Sequence, residues 1–174
     1  MKTKDLIYCA LFCTLIIIGA FLKISIPPFP MFFTMQTFFV ILAGYVLDAK
    51  RGTVSVSVYI LLGLIGIPVF STGGGISYIL SPTFGFLIGF IPASYVISKL
   101  TVKKIKFYPS LIAVAMIYTV GILYFILIKN VYLAESVSAL SFVSTCLVFF
   151  IPFDILSAFF SYVLSKRIKR SKII

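Results

Sequence analysis

With 174 residues, 61% of them hydrophobic and 11% charged, and a mean hydropathy of +1.21, the chain lies far from a soluble domain, in which about a quarter of residues are charged. A net charge of +11 built on 15 basic residues, four acids and no His leaves no paired carboxylates, no Ser or Cys beside a base and no metal-ligand set, so hydrolytic chemistry and a resident metal or cofactor are not expected. Apolar stretches of spanning length recur throughout, which predicts an all-α, polytopic membrane protein forming one domain over residues 1–174.

Six spans are predicted, at about 6–24, 34–49, 53–70, 81–100, 109–129 and 141–165. The basic start and apolar run at the N-terminus resemble a signal peptide. Leu6 to Ile24 is nevertheless long enough to span and no small-x-small cleavage site follows it, so the segment is expected to be retained. This first span carries Ala10-x-x-x-Thr14, with Cys9, Cys13 and Gly19 nearby. Small residues at that spacing let a second helix approach closely, either inside this bundle or from another subunit. Lys23 closes the span, where a lysine either snorkels to the interface or turns into a pocket. Ile26-Pro-Pro-Phe-Pro30 cannot continue a helix and predicts a stiff extended loop entering the second span at Met31. Thr34 and Gln36 lie just inside that entry, and a membrane Gln has two donors and an acceptor to satisfy.

The third span follows the turn Asp48-Ala-Lys-Arg-Gly52 and ends in Gly63-Leu-Ile-Gly-Ile-Pro-Val-Phe70. Next comes Ser71-Thr-Gly-Gly-Gly-Ile-Ser-Tyr78. Its glycines permit close backbone approach to a ligand or a lid, but it lacks the Lys-Ser/Thr ending of a phosphate-binding loop. No nucleotide-binding motif occurs elsewhere, so any uphill transport needs a separate ATPase. Cys9, Cys13 and Cys146 all fall in spans without metal-ligand company and are expected to act as small core side chains.

The last span holds the costliest residue. Asp154 sits in the uncharged run Leu147–Phe160, and the nearest charge, Lys166, is twelve residues on. At about 1.5 Å per residue that places the carboxyl roughly 18 Å deep, near the middle of a hydrocarbon core about 30 Å thick. An acid there costs on the order of 3 kcal/mol and normally faces a cavity or a partner. The alternative is a structural Asp bonded to backbone freed by Pro152.

All the Lys and Arg residues except Lys23 and Lys129 fall at the termini or in alternate connections. That bias predicts six spans with both termini cytoplasmic. Topology thus accounts for the positive charge without a nucleic-acid partner, and attraction to anionic membrane lipid follows from it.

Several blocks in order resemble the BioY family, the biotin-specific substrate-binding (S) components of energy-coupling factor transporters. Pro30 followed by Thr34-Met-Gln-Thr37 is similar to its Pro-rich entry ending in Thr-Leu-Gln-Thr. Tyr59-Ile-Leu-Leu-Gly-Leu-Ile-Gly-Ile-Pro-Val-Phe70 resembles its Leu-Gly-Leu-x-Gly-Leu-Pro-Val-Phe signature. Gly73-Gly-Gly75 with Ser81-Pro-Thr-Phe-Gly-Phe-Leu-Ile-Gly-Phe90 is similar to its Gly/Ser-Pro-Thr-x-Gly-Tyr/Phe block, and Pro152-Phe-Asp154 to the Pro-x-Asp of its last helix.

The resemblance implies a six-helix subunit that captures biotin from outside, beneath external loops. It also implies a transmembrane coupling subunit, which would meet Ala10 and Thr14, and two cytoplasmic ATPases. Asp154 would accept from the ureido N–H groups of biotin. Phe70, Tyr78 and Phe86 would cover the thioether ring, with Thr34 and Gln36 as polar ligand contacts and the backbone of Gly73, Gly74 and Gly75 close to the ligand. One position departs from the family: its lysine three residues after this Asp is Ser157 here, leaving Lys23 or the glycine-loop amides to meet the carboxylate. The other readings are the same fold holding a different small vitamin, and a membrane scaffold with no ligand.

Overall fold

The computed structural model describes residues 2–25, 32–133, 142–144 and 146–171. The Ile26–Pro30 loop, Met31 and the side chain of Cys146 lie outside the described residues. Among the described residues six long α-helices follow one another: α1 (Thr3–Phe21), α2 (Gln36–Val46), α3 (Ala49–Leu64), α4 (Phe84–Leu100), α5 (Tyr108–Leu127) and α6 (Ile151–Arg170). The stretches Thr3–Phe21, Tyr108–Tyr132 and Phe142–Arg170 are each long and apolar enough to cross a membrane.

The second and third helices are shorter than expected, and the reasons are local. Phe32–Thr34 pairs antiparallel with Lys23–Ser25, with Lys23 opposite Thr34, so a two-stranded ribbon consumes the start of the expected second span. Helix α2 therefore begins at Gln36. With 11 residues it rises about 16 Å, roughly half of a hydrocarbon core. It stops at Val46 because Asp48 caps α3, accepting from Arg51 N at 2.7 Å. Helix α3 in turn ends before Gly66, whose φ of +107° no β-branched residue would adopt readily.

Helix α2 is the centre of the bundle: Gln36, Thr37 and every residue from Val40 to Val46 are buried. It packs against α1, α3, α4 and α6. Small and hydroxyl residues make the close contacts. A Cβ at Gly44 would press on Ile97 and on the Ser94 carbonyl, while Ser98 donates to Gly44 O at 2.7 Å and Ser161 donates to Phe38 O at 2.8 Å. Lipid gives helices no hydrophobic reason to associate, so such backbone approach and interhelical hydrogen bonding carry the packing. Cys9 and Cys13 are buried on the inner side of α1, as expected of small core residues. Ala10 and Thr14 occupy its exposed side, and Thr14 bonds only back to Ala10 O at 2.9 Å. Among the described residues, no neighbouring helix covers this small-residue pair. Arg51 ties the α1 and α3 ends together, 3.5 Å from Asp5 and 3.2 Å from Asp48.

Candidate ligand-binding site

Because α2 starts half-way through the bundle, its first turn forms the floor of a cavity of about 290 Å³ rather than a continuous wall. The volume is close to the lower end for small-molecule sites. Gln36 and Thr37 come from that first turn, Asp154 from the first turn of α6, and Tyr118 from α5. Phe86, Leu87 and Phe90 of α4 supply an apolar side, and Ser71, Thr72 and Tyr78 border the cavity from the α3–α4 connection.

Asp154 is 6% exposed. Its Oδ2 accepts from the Tyr118 hydroxyl at 2.5 Å and the Thr37 side chain lies beside the carboxyl, while Oδ1 is buried with no partner at hydrogen-bond geometry among the described residues. Pro152 lies where the π-helical turn Cys146–Phe150 gives way to α6. Neither carboxyl oxygen accepts from backbone among the described residues; the acid is held by a tyrosine and faces a cavity. A buried carboxylate oxygen without a donor is expensive.

Gln36 is satisfied on both sides: its Nε2 donates to Tyr59 Oη at 2.6 Å and its Oε1 accepts from Thr34 at 3.1 Å. Tyr59, fully buried, thus acts as the acceptor that orients a cavity-lining amide. Tyr59→Phe should lower thermal stability in detergent by about 1–3 kcal/mol, the usual cost of leaving a buried donor unpaired. An unchanged melting temperature would show that the amide finds another partner.

Of the residues singled out in the sequence, Thr34, Gln36, Tyr78, Phe86 and Asp154 line this cavity together. The others are placed differently. Phe70 is buried behind the wall, its ring 4.4 Å from that of Tyr78 and 5.5 Å from that of Tyr59. Gly73, Gly74 and Gly75 fold back on α3: Gly75 N donates to Gly63 O at 2.7 Å, and Gly73 pairs with Phe70. Their positive φ values, +128° at Gly73 and +111° at Gly75, serve this tight return. Lys23 lies outside the lining, donating to Ser71 O at 2.5 Å with its ammonium 4.8 Å from the Phe32 ring centroid. Ser157 lines an apolar groove between α2 and α6 instead of the cavity.

Sequence reasoning did not find Thr37, Tyr118 or Lys129, all of which line the cavity. Thr37 was quoted in a motif, and Lys129 stood out as one of two basic residues on the minority side. Tyr118 had no local signal, because its role comes from an element 36 residues before Asp154.

The BioY family model matches residues 1–173, nearly the whole chain. The chain belongs to the BioY family. A "Biotin transporter BioY" of Thermotoga maritima is 35% identical over 175 residues, covering 98% of each chain. A "Probable biotin transporter BioY" of Lysinibacillus sphaericus is 43% identical over 138 residues, 76% of this chain and 69% of that one. Among solved structures, the S-component for biotin from an ECF-type ABC transporter is 28% identical and superposes with a TM-score of 0.83, covering 98% of this chain and 95% of that one. The family blocks recognised in the sequence are thus borne out, and so is the six-helix S-component fold. This BioY chain is a multi-pass transporter component of a prokaryotic cell membrane, not an enzyme.

Proposed function

We propose that this BioY chain captures biotin in the cavity between α2, α4, α5 and α6 and passes it inward as the S component of an energy-coupling factor transporter. The supporting observation is the Asp154 carboxyl, held by Tyr118 on one oxygen and presenting the other, unpaired, at the cavity floor. Biotin has two ureido N–H donors on a compact, mostly apolar ring system. A carboxylate oxygen is the acceptor such donors favour, and charge strengthens the bond. Gln36 and Thr37 offer further polar contacts, and Tyr78, Phe86 and Phe90 offer cover for the rings.

The basic residues at the ends of α1, α4 and α6 put both termini in the cytoplasm. The cavity then opens outward. Partners complete the cycle: a transmembrane coupling subunit meets the exposed Ala10–Thr14 side of α1, and two cytoplasmic ATPases supply the energy. Equilibrium binding of labelled biotin to the purified chain in detergent tests the reading. Saturable binding at a stoichiometry of one is expected. A thermal-shift panel in which another vitamin stabilises the chain and biotin does not would overturn it, as would the absence of any saturable ligand.

A further inference from the structure

We infer that Lys129 reads the carboxylate of the ligand. The inference rests on the biotin reading above and adds the residue that recognises the anionic end.

The cavity is bipolar. Among the described residues that line it, Asp154 is the one acid and Lys129 the one base. Both are placed by helix geometry. On α5 the i, i+4 row Ile117, Gly121, Phe125, Lys129, Leu133 runs along one face, and every member except Gly121 lines the cavity. Gly121 belongs to the same face: the Phe86 ring, itself a lining residue, occupies the space of its missing side chain. Lys129 therefore lies on the ligand side of α5 and not on its lipid side, and it is half-buried.

A terminal lysine usually snorkels outward to water, but long side chains on a helix lean towards the helix N-terminus. At the C-terminal end of α5 that direction is back into the cavity. The π-helical turn Ile128–Tyr132, in which Lys129 sits, widens the helix at this point.

Spacing matches a ligand with donors at one end and an anion at the other. Tyr118, which holds Asp154, precedes Lys129 by eleven residues, a rise of about 16 Å. The lysine stem, leaning back, shortens that gap to a length the valerate chain of biotin can cover. The competing cations are placed less well. Lys23 is not part of the lining, and a residue at position 157 faces the α2–α6 groove.

The test compares biotin with biotin methyl ester on purified wild type, Lys129→Met and Lys129→Arg. Wild type should prefer biotin over its ester by about tenfold or more, as a charge-assisted contact implies. Lys129→Met should lose that preference by weakening biotin alone, its ester affinity staying within about twofold. Lys129→Arg, keeping the charge, should retain most of the preference. A Lys129→Met protein that still discriminates overturns the inference while leaving the biotin reading standing. So does an equal loss of both ligands, because a residue that reads the carboxylate leaves the ester untouched. A wild-type chain that binds neither compound overturns the biotin reading and this inference together.

Discussion

Asp154→Asn should weaken biotin binding by about tenfold to a hundredfold, because it converts a charged acceptor to a neutral one at a buried contact worth about 1.5–3 kcal/mol. The geometry adds a second penalty. With Oδ2 taken by Tyr118, the group turned to the ligand is whatever stands at Oδ1. In the Asn variant the carbonyl is the natural partner of the Tyr118 hydroxyl, which leaves the amide NH2 facing the ureido N–H groups, donor against donor. Stability without ligand should move the other way. A buried carboxylate with one unsatisfied oxygen destabilises the fold, and replacing it by a neutral isostere is neutral or stabilising. The expected pair of results is therefore a melting temperature that holds or rises in detergent and an affinity that falls. Such a trade-off marks a residue kept for function. Unchanged affinity in well-folded Asp154→Asn protein would sink the assigned contact, and a large fall in stability would point to a structural acid.

Gly63→Ala should destabilise the chain even though Ala normally improves a helix by about 1 kcal/mol over Gly. The Phe70 ring rests on the Gly63 backbone, and a Cβ there would overlap three of its ring atoms. Phe70 cannot step aside cheaply: Tyr59 packs edge-on against it and Tyr78 lies on its other side. Overpacking of this kind costs about 1–3 kcal/mol, enough to outweigh the helix gain. The displacement has a route to the ligand, because Phe70 pushes on Tyr78, a cavity-lining ring. A fall of several degrees in melting temperature should therefore accompany weaker biotin binding. The double variant Gly63→Ala/Phe70→Leu should recover part of both losses. A Gly63→Ala protein with equal or higher stability would show that the ring relaxes freely.

The two predictions bear on what could be read from the chain before folding. Asp154 was recognisable because expense is a local property: an acid in an uncharged run is anomalous wherever the fold puts it. The Gly63–Phe70 block was recognisable as a motif, but its meaning was not. Phe70, expected at the ligand, lies behind the cavity-lining ring of Tyr78, and the glycines, expected to approach a ligand or a lid, form a return turn on α3. Residues of a motif share a requirement, and sequence does not say whether that requirement is contact with the ligand or support for the residue that makes it.

Hydropathy, the bias of basic residues and the ordered family blocks by themselves determined the membrane class, six helices and the S-component family, and singled out Asp154. These follow from composition, period and local cost, which need no knowledge of neighbours. Only the tertiary structure decided that α2 is half-length and floors a cavity, that Tyr118 holds Asp154 and Tyr59 holds Gln36, and that Lys129 lines the cavity while Ser157 does not. The physical reason is the same in each case. A ribbon pairing shortens a helix, a hydroxyl reaches across 36 residues of chain, and helix rotation selects which side chains turn inward. All three are settled by packing between elements far apart in sequence.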